Sequence, residues 1–167
     1  MEYQSRKLPR LKNYDYSQNG CYFITICTKD KQRLLSSIVG NAAPGVPQII
    51  LTDYGRAIET EIQKMNGIYQ TIQTTDYVIM PNHVHMLVEI DHDPSRGTPG
   101  AAFPTKSLLS EYVRTFKRFC NKECGNAIWQ KSFYDHIIRD EEDHFSHVQY
   151  INENPKKWLM GKDEYYA

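Results

Sequence analysis

Two histidines, His83 and His85, could hold a metal ion, because a single valine separates them in the segment MPNHVHMLVEI. Side chains alternate between the faces of a β-strand, so residues two apart project from the same face, about 6.5 to 7 Å apart along the strand. Two imidazoles in that arrangement can converge on one ion. Such pairs also arise easily by chance, and two separately hydrogen-bonded histidines remain an alternative interpretation of this motif alone.

The surrounding residues indicate which face of this strand is buried. Segment 77–90 reads as two strands interrupted at Pro81–Asn82, since proline cannot donate a hydrogen bond to a neighbouring strand. One face of the second strand is wholly apolar and is predicted to face the core, while the other carries both histidines. The apolar set is Val84, Met86, Val88 and Ile90; the opposite set is His83, His85, Leu87 and Glu89.

A third ligand could come from the last predicted helix, DEEDHFSHVQYINENPKKW. Tyr150 and Asn154 are four residues apart and so share a helix face, with His147 one turn before Tyr150. The apolar stripe of this helix is predicted to be Phe145, Val148 and Ile151, which leaves Tyr150 and Asn154 on a polar face. Pro155 predicts that the helix ends near Asn154.

The element order that positions these residues is β, α, β-β, α, β, α, which predicts an α+β fold: a ferredoxin-like antiparallel sheet with packed helices. The chain of 167 residues is expected to form one domain, 1–167, with a surface loop at 91–105. The predicted elements before the loop are strand 20–30, helix 51–67 and strands 73–80 and 83–90; after it come helix 106–123, a short strand within 128–140 and the last helix.

Composition narrows the setting and the partners. No apolar stretch reaches the length of a membrane span, so a cytoplasmic protein without a membrane partner is expected. The 20 basic and 20 acidic residues cancel, so any nucleic-acid surface must be local. Two basic clusters exist, SRKLPRLKNY and RTFKRFCNK, and the second also carries two phenylalanines.

Two sequence blocks together resemble a known family. YVIMPNHVHMLVEI, followed by IWQKSFYDHIIRDEEDHFSHVQYINENPKKW, is similar to the single-tyrosine HUH transposases of the smallest bacterial insertion sequences. The resemblance is closest to the branch called REP-associated tyrosine transposases and runs from about residue 10 to residue 160. It implies that His83, His85 and Asn154 are metal ligands and that Tyr150 is the nucleophile. It also implies a ferredoxin-like fold and an assembly that is often a homodimer.

The chemistry that this resemblance implies is metal-dependent cleavage and rejoining of single-stranded DNA, often hairpin-containing, through a 5′-phosphotyrosine intermediate. The metal would be Mg²⁺ or Mn²⁺. Free tyrosine has a pKa of about 10, so another group must help to remove its proton, and His147 and His136 are weak candidates. Tyr134 is the serious rival to Tyr150, and the pattern of a tyrosine shortly before Asn-Pro decides for Tyr150.

DNA phosphates are predicted to contact basic residues of the second cluster and the segment after it, with bases stacking on aromatic side chains. A second patch near the start of the chain is also predicted. The residues are Arg114, Lys117, Arg118 and Lys131, together with Arg10 and Lys12.

Three other interpretations remain open at this stage. The first is a non-catalytic descendant that binds single-stranded DNA hairpins with an inherited site. The second is a small metal-dependent phosphoesterase in which water is the nucleophile. The third is a purely structural histidine pair without a metal.

Overall fold

The computed structural model describes residues 14–16, 18–40, 45–91 and 107–166. The predicted order of elements is confirmed, with one additional hairpin. Arg10, Lys12 and all but the first residue of the predicted loop 91–105 lie outside the described residues. The strands are Gly20–Cys27 (β1), Ser36–Val39 (β2), Gln48–Leu51 (β3), Ile72–Ile79 (β4), His83–Ile90 (β5) and Tyr134–Ile137 (β6); the helices are Asp53–Ile68 (α1), Leu108–Cys124 (α2) and Glu141–Leu159 (α3).

Four strands form the central sheet in the order β4-β5-β1-β6, and every neighbouring pair is antiparallel. Because β1 and β4 both pair antiparallel with β5, they run parallel to each other with β5 between them. Helix α1 connects them, which makes a split β-α-β unit. This arrangement confirms the predicted α+β fold with an antiparallel sheet.

The sheet has an apolar core on each face. On one face Val84, Met86, Val88 and Ile90 are buried in a cluster to which α1 and α2 contribute side chains, so the predicted core face of β5 is confirmed. On the other face a smaller cluster contains residues of β1, β4, β5 and α3: Phe23, Val78, Met80, Leu87, Ile151 and Trp158. Helix α3 therefore covers the face that carries the two histidines.

The hairpin of β2 and β3 is a separate two-stranded sheet that the sequence did not reveal. It leads directly into α1, whose N-cap Thr52 accepts a hydrogen bond from the backbone N–H of Gly55. A Cβ atom on Gly55 would collide with the carbonyl oxygen of Leu35. Glycine at this position therefore lets the first turn of α1 lie directly against the backbone that precedes β2.

Helix α3 is longer than predicted. Its N-cap Asp140 accepts a hydrogen bond from the backbone N–H of Asp143, which satisfies a donor at the helix start. The predicted end near Asn154 is wrong, because the helix continues through Pro155 to Leu159. Trp158, one turn after the proline, is only 5% exposed, and its burial offsets the cost of about 3 kcal/mol for an internal proline.

Two predictions about the faces of α3 are also wrong. Phe145, assigned to the apolar stripe, is 68% exposed, and Asn154, assigned to a polar face, is fully buried. Ile151 and Asn154 lie on the side of α3 that faces the sheet, whereas Phe145 lies on the side that faces solvent. Among the residues that the structure describes, no helix is long and apolar enough to cross a membrane.

Candidate active site

His83 and His85 lie at the start of β5, on the face of the sheet covered by α3. In the pairing with β1, His83 is opposite Cys27 and His85 is opposite Thr25. Both histidine side chains are buried, and their ring centroids lie 4.5 Å apart at an interplanar angle of 68°. Strand alternation thus places the two imidazoles side by side in the interior.

The Nδ1 atom of each imidazole has a fixed polar neighbour. Asn82 Oδ1 lies 2.7 Å from His83 Nδ1, and Asn82 Nδ2 donates to the carbonyl of Tyr165, which fixes the amide orientation. Since Asn82 Oδ1 can only accept, His83 Nδ1 carries the hydrogen and His83 Nε2 keeps its lone pair. Thr25 Oγ1 lies 2.7 Å from His85 Nδ1. Within the described part of the chain, both Nε2 atoms are buried without a hydrogen-bond partner.

Burial keeps both imidazoles neutral. It lowers the pKa of His83 to about 3, and the nearby amide of Asn154 offsets part of that depression. The pKa of His85 is also well below its usual value, mainly because of burial and also because His83 and His147 lie nearby. A neutral imidazole with a free Nε2 is the form that ligates a metal ion.

Asn154 supplies a third donor. It lies on α3, is fully buried, and neither atom of its amide group has a hydrogen-bond partner among the described residues. Buried polar atoms are normally satisfied, so three residues with orphaned donors at one place fit a metal ion that would satisfy them. Two imidazole nitrogens and an amide oxygen are a donor set that divalent ions such as Mn²⁺ accept.

Tyr150 lies one helical turn before Asn154 and contacts His85 of the histidine pair. Its ring centroid is 5.2 Å from that of His85 and 5.8 Å from that of Phe23, with near-perpendicular planes in both pairs. The hydroxyl donates a 2.7 Å hydrogen bond to Glu164 Oε1. Burial, followed by the contact with Glu164, raises the pKa of Tyr150 well above its ordinary value.

Residues 161–166, which follow α3, fold back over this site. The ring centroid of Tyr165 lies 4.5 Å from that of His83 and 5.6 Å from that of His85. The segment is anchored by Asn82, which donates to the Tyr165 carbonyl, and by Arg33, which donates to the Tyr166 carbonyl at 3.0 Å. We call residues 161–166 the C-terminal segment.

Comparison with known proteins identifies the family. No family model matches the chain. An uncharacterised protein of Haemophilus influenzae is 32% identical over 168 residues, which cover 92% of this chain and 89% of that protein. The REP-associated tyrosine transposase of Escherichia coli K12 is 33% identical over 146 residues, covering 85% of this chain and 70% of that protein.

The chain belongs to the REP-associated tyrosine transposase family. A solved structure described as a REP-associated tyrosine transposase bound to a REP hairpin matches it with a TM-score of 0.62 at 22% identity. The match covers 89% of this chain and 73% of that one, and it supports the fold.

The two histidines considered for tyrosine activation both lie beside one carboxylate. His136 Nε2 lies 3.0 Å from Asp143 Oδ2, and His147 Nδ1 lies 3.0 Å from Asp143 Oδ1. The imidazole rings stack with centroids 4.6 Å apart, and the backbone N–H of Arg139 donates to the same carboxylate. This cluster joins β6 to the first turn of α3, whereas the phenolic hydrogen of Tyr150 is directed at Glu164.

Four of the basic residues predicted to bind DNA lie in the described part of the chain, and the three of them on α2 are not gathered around the histidines. Arg114, Lys117 and Arg118 lie on α2, which packs on the opposite face of the sheet. Arg114 pairs with Glu111, and the Lys117 ammonium donates to the carbonyls of Gln130 and Ser132, both at 2.8 Å. Arg118 lies over the ring of Phe119, and Lys131 is exposed. Their contact with DNA stays a prediction.

Sequence reasoning missed several residues around this site. Thr25 and Asn82 could have been found from their places beside the histidines, since Asn82 precedes His83 and strand pairing brings Thr25 opposite His85. Glu164 and Tyr165 carry no comparable signal, because only the fold of the C-terminal segment brings them to Tyr150 and the histidines.

Proposed function

We infer that this protein is a metal-dependent transposase of single-stranded DNA that cleaves and rejoins strands through a 5′-phosphotyrosine intermediate on Tyr150. The observation that carries the proposal is the convergence of orphaned donors. His83 Nε2, His85 Nε2 and the Asn154 amide are buried without hydrogen-bond partners among the described residues, and Tyr150 lies one helical turn from Asn154 beside His85.

The metal ion, Mg²⁺ or Mn²⁺, would be held by His83 Nε2, His85 Nε2 and Asn154 Oδ1. When bound, it would supply Lewis-acid stabilisation of the negative charge that develops on the scissile phosphate. Asn82 and Thr25 orient the imidazoles through their Nδ1 atoms, and Asn82 leaves the Nε2 lone pair of His83 available.

Tyr150 is the nucleophile in this proposal. Its oxygen attacks the phosphorus in line, the Tyr150 Oη–P bond forms, and the P–O3′ bond breaks to leave a 3′-hydroxyl on the upstream strand. Because the phosphotyrosine linkage retains the energy of the broken bond, a 3′-hydroxyl can attack it later and rejoin DNA without a nucleotide cofactor. The half-buried position of Tyr150 against Phe23 and His85 limits its rotamers and so orients the attack.

A DNA hairpin is the proposed substrate. The family relationship to the REP-associated tyrosine transposase of Escherichia coli and the fold shared with a relative described as bound to a REP hairpin support this choice. The protein would therefore act on a single strand presented next to a hairpin stem.

The test is incubation of the purified protein with Mn²⁺ and end-labelled hairpin oligonucleotides that carry single-stranded flanks. A covalent protein–DNA adduct is expected on a denaturing gel with wild type and not with Tyr150→Phe. Tyr134→Phe is the matched control, because Tyr134 is the rival tyrosine and is 47% exposed on β6. It should form the adduct as wild type does.

The alternatives give different results in the same assay. Hairpin binding without an adduct would indicate a non-catalytic descendant that binds single-stranded DNA hairpins. Cleavage that survives Tyr150→Phe would indicate a phosphoesterase that uses water as its nucleophile. Either result would overturn the proposed mechanism.

A further inference from the structure

Among the described residues, the Tyr150 hydroxyl has one hydrogen-bond acceptor in contact with it. Tyr150 Oη donates to Glu164 Oε1 at 2.7 Å, within the distance over which a general base accepts a proton. Glu164 belongs to the C-terminal segment and is brought to Tyr150 by the fold-back of the chain after α3. From this contact we propose that Glu164 is the general base that accepts the phenolic proton of Tyr150 during strand cleavage, an inference that rests on the proposed function.

Among the described residues, the other polar groups near Tyr150 do not accept a hydrogen bond from its hydroxyl. His85, on β5, faces the Tyr150 ring, and its Nε2 atom belongs to the proposed metal site. Lys157, on α3, places its ammonium 4.6 Å from the Tyr150 ring centroid and is a cation. Asp163 and Tyr165 lie near in the C-terminal segment. Asp163 Oδ1 accepts a hydrogen bond from the Tyr165 backbone N–H at 2.7 Å, and within the described part of the chain the Tyr150 hydroxyl bonds Glu164 rather than Asp163.

The backbone on both sides of Glu164 is fixed, and the exposed side chain of Glu164 is held by its hydrogen bond to the Tyr150 hydroxyl. Before it, Asp163 is buried and accepts from the Tyr165 backbone. After it, the carbonyls of Tyr165 and Tyr166 accept hydrogen bonds from Asn82 and Arg33. A base held in this way needs little reorganisation at the moment of attack.

The proton balance is complete in both directions. In cleavage, the Tyr150 Oη–P bond forms, the phenolic proton passes to Glu164 Oε1, and the departing 3′-oxygen takes a proton from water. In rejoining, a 3′-hydroxyl attacks the phosphotyrosine and gives its proton to the hydroxide that cleavage left, the P–O3′ bond forms, the Tyr150 Oη–P bond breaks, and Glu164 returns its proton to the departing Tyr150 oxygen. One carboxylate therefore acts as base and then as acid, as microscopic reversibility requires.

The experiment measures the single-turnover rate of adduct formation with saturating protein, Mn²⁺ and the hairpin oligonucleotide. Glu164→Gln keeps the size of the side chain and removes its basicity, so the rate is expected to fall by roughly 10²- to 10⁴-fold. Its hairpin affinity should remain that of wild type. The control Glu142→Gln removes an exposed carboxylate from the first turn of α3 and should leave the rate unchanged.

Chemical rescue separates a base from a structural contact. Glu164→Ala leaves space beside Tyr150, so added formate should accelerate its adduct formation, whereas formate should not accelerate wild type or Glu164→Gln. A Glu164→Gln rate equal to or above wild type would overturn the proposal, and would show that the contact restrains Tyr150. Failure of formate to accelerate Glu164→Ala would also overturn it. Absence of any adduct with wild type would instead overturn the proposed function, and the role of Glu164 with it.

Discussion

At the scale of single residues, both imidazoles of the histidine pair are buried and neutral, which is the state that can ligate a metal ion. The neutral state follows from burial, and the free Nε2 of His83 follows from a neighbour that can only accept a hydrogen bond. The Thr25 hydroxyl oxygen lies 2.7 Å from His85 Nδ1 and so restrains the orientation of that imidazole. The metal binding proposed for this site would therefore depend on Asn82 and Thr25, which are not among the proposed ligands.

Replacement of Thr25 by valine tests this dependence. Valine has nearly the same shape but cannot bond His85 Nδ1, so the imidazole loses its fixed orientation. Partners of this kind contribute about 10- to 100-fold in metal affinity, and the affinity of Thr25→Val for Mn²⁺ is expected to fall by that factor in isothermal titration calorimetry. Thr60→Val is the control, because the Thr60 hydroxyl is exposed and bonds only within α1. Equal affinity in both variants would show that Thr25 does not position His85.

At the scale of elements, sequence patterns revealed much of the fold. Strand β5 has the predicted bounds, and its apolar face is the predicted one, because strict alternation leaves one choice of face. The hairpin of β2 and β3 escaped notice because each strand has four residues. The end of α3 was misplaced because proline propensity acts locally, whereas the burial of Trp158 that outweighs it depends on tertiary packing.

The residues of the candidate site also fall into two groups: those that sequence motifs indicate and those that only the fold brings into the site. The histidines, Tyr150 and Asn154 could be named from motifs, since each has a fixed spacing from a neighbour in the sequence. Glu164 could not, because no spacing rule relates a residue after the last helix to a tyrosine within it. Only the fold-back of the C-terminal segment creates that contact.

The anchoring of this segment by Arg33 can be tested directly. The Arg33 guanidinium lies 5.1 Å from the Trp158 ring centroid and 4.8 Å from that of Tyr166, and it donates to the Tyr166 carbonyl. Arg33→Ala is expected to accelerate amide hydrogen exchange at residues 165 and 166, measured by mass spectrometry. Arg56→Ala removes an exposed arginine that also donates to a backbone carbonyl, and should leave this exchange unchanged. Unchanged exchange in Arg33→Ala would show that the segment is held without Arg33.

Helix α2 is joined to the chain before β6 by a lysine with an altered pKa. Burial lowers the pKa of Lys117 to about 8, below the 10.5 of an ordinary lysine. Between about pH 8 and 10.5 the unfolded chain binds more protons at Lys117 than the folded chain does. The free energy of unfolding therefore rises with pH through this window. Urea unfolding should show wild type gaining stability relative to Lys117→Met between pH 7.5 and about 10. Parallel pH curves for the two proteins would contradict this prediction.

At the scale of the whole molecule, the proposed ligands connect distant parts of the chain. His83 and His85 come from β5 in the central sheet, while Asn154 comes from α3, which covers that sheet. The site lies beside the smaller apolar cluster, where Trp158 packs with its ring centroid 6.2 Å from that of His83. A metal ion would therefore join α3 to the central sheet in a region of low dielectric constant.

Metal binding should consequently stabilise the entire fold. An ion that binds only the folded state adds about 2.7 kcal/mol at a free concentration 100 times its dissociation constant. Mn²⁺ is expected to raise the melting temperature of wild type in differential scanning calorimetry, and excess EDTA should reverse the rise. His83→Ala and Asn154→Ala should each lose most of it, because each removes a ligand. Asn152→Ala is the control, since Asn152 is an exposed amide on α3 and is not one of the proposed ligands. An equal rise in His83→Ala would place the bound ion elsewhere, and this outcome is independent of any reaction with DNA.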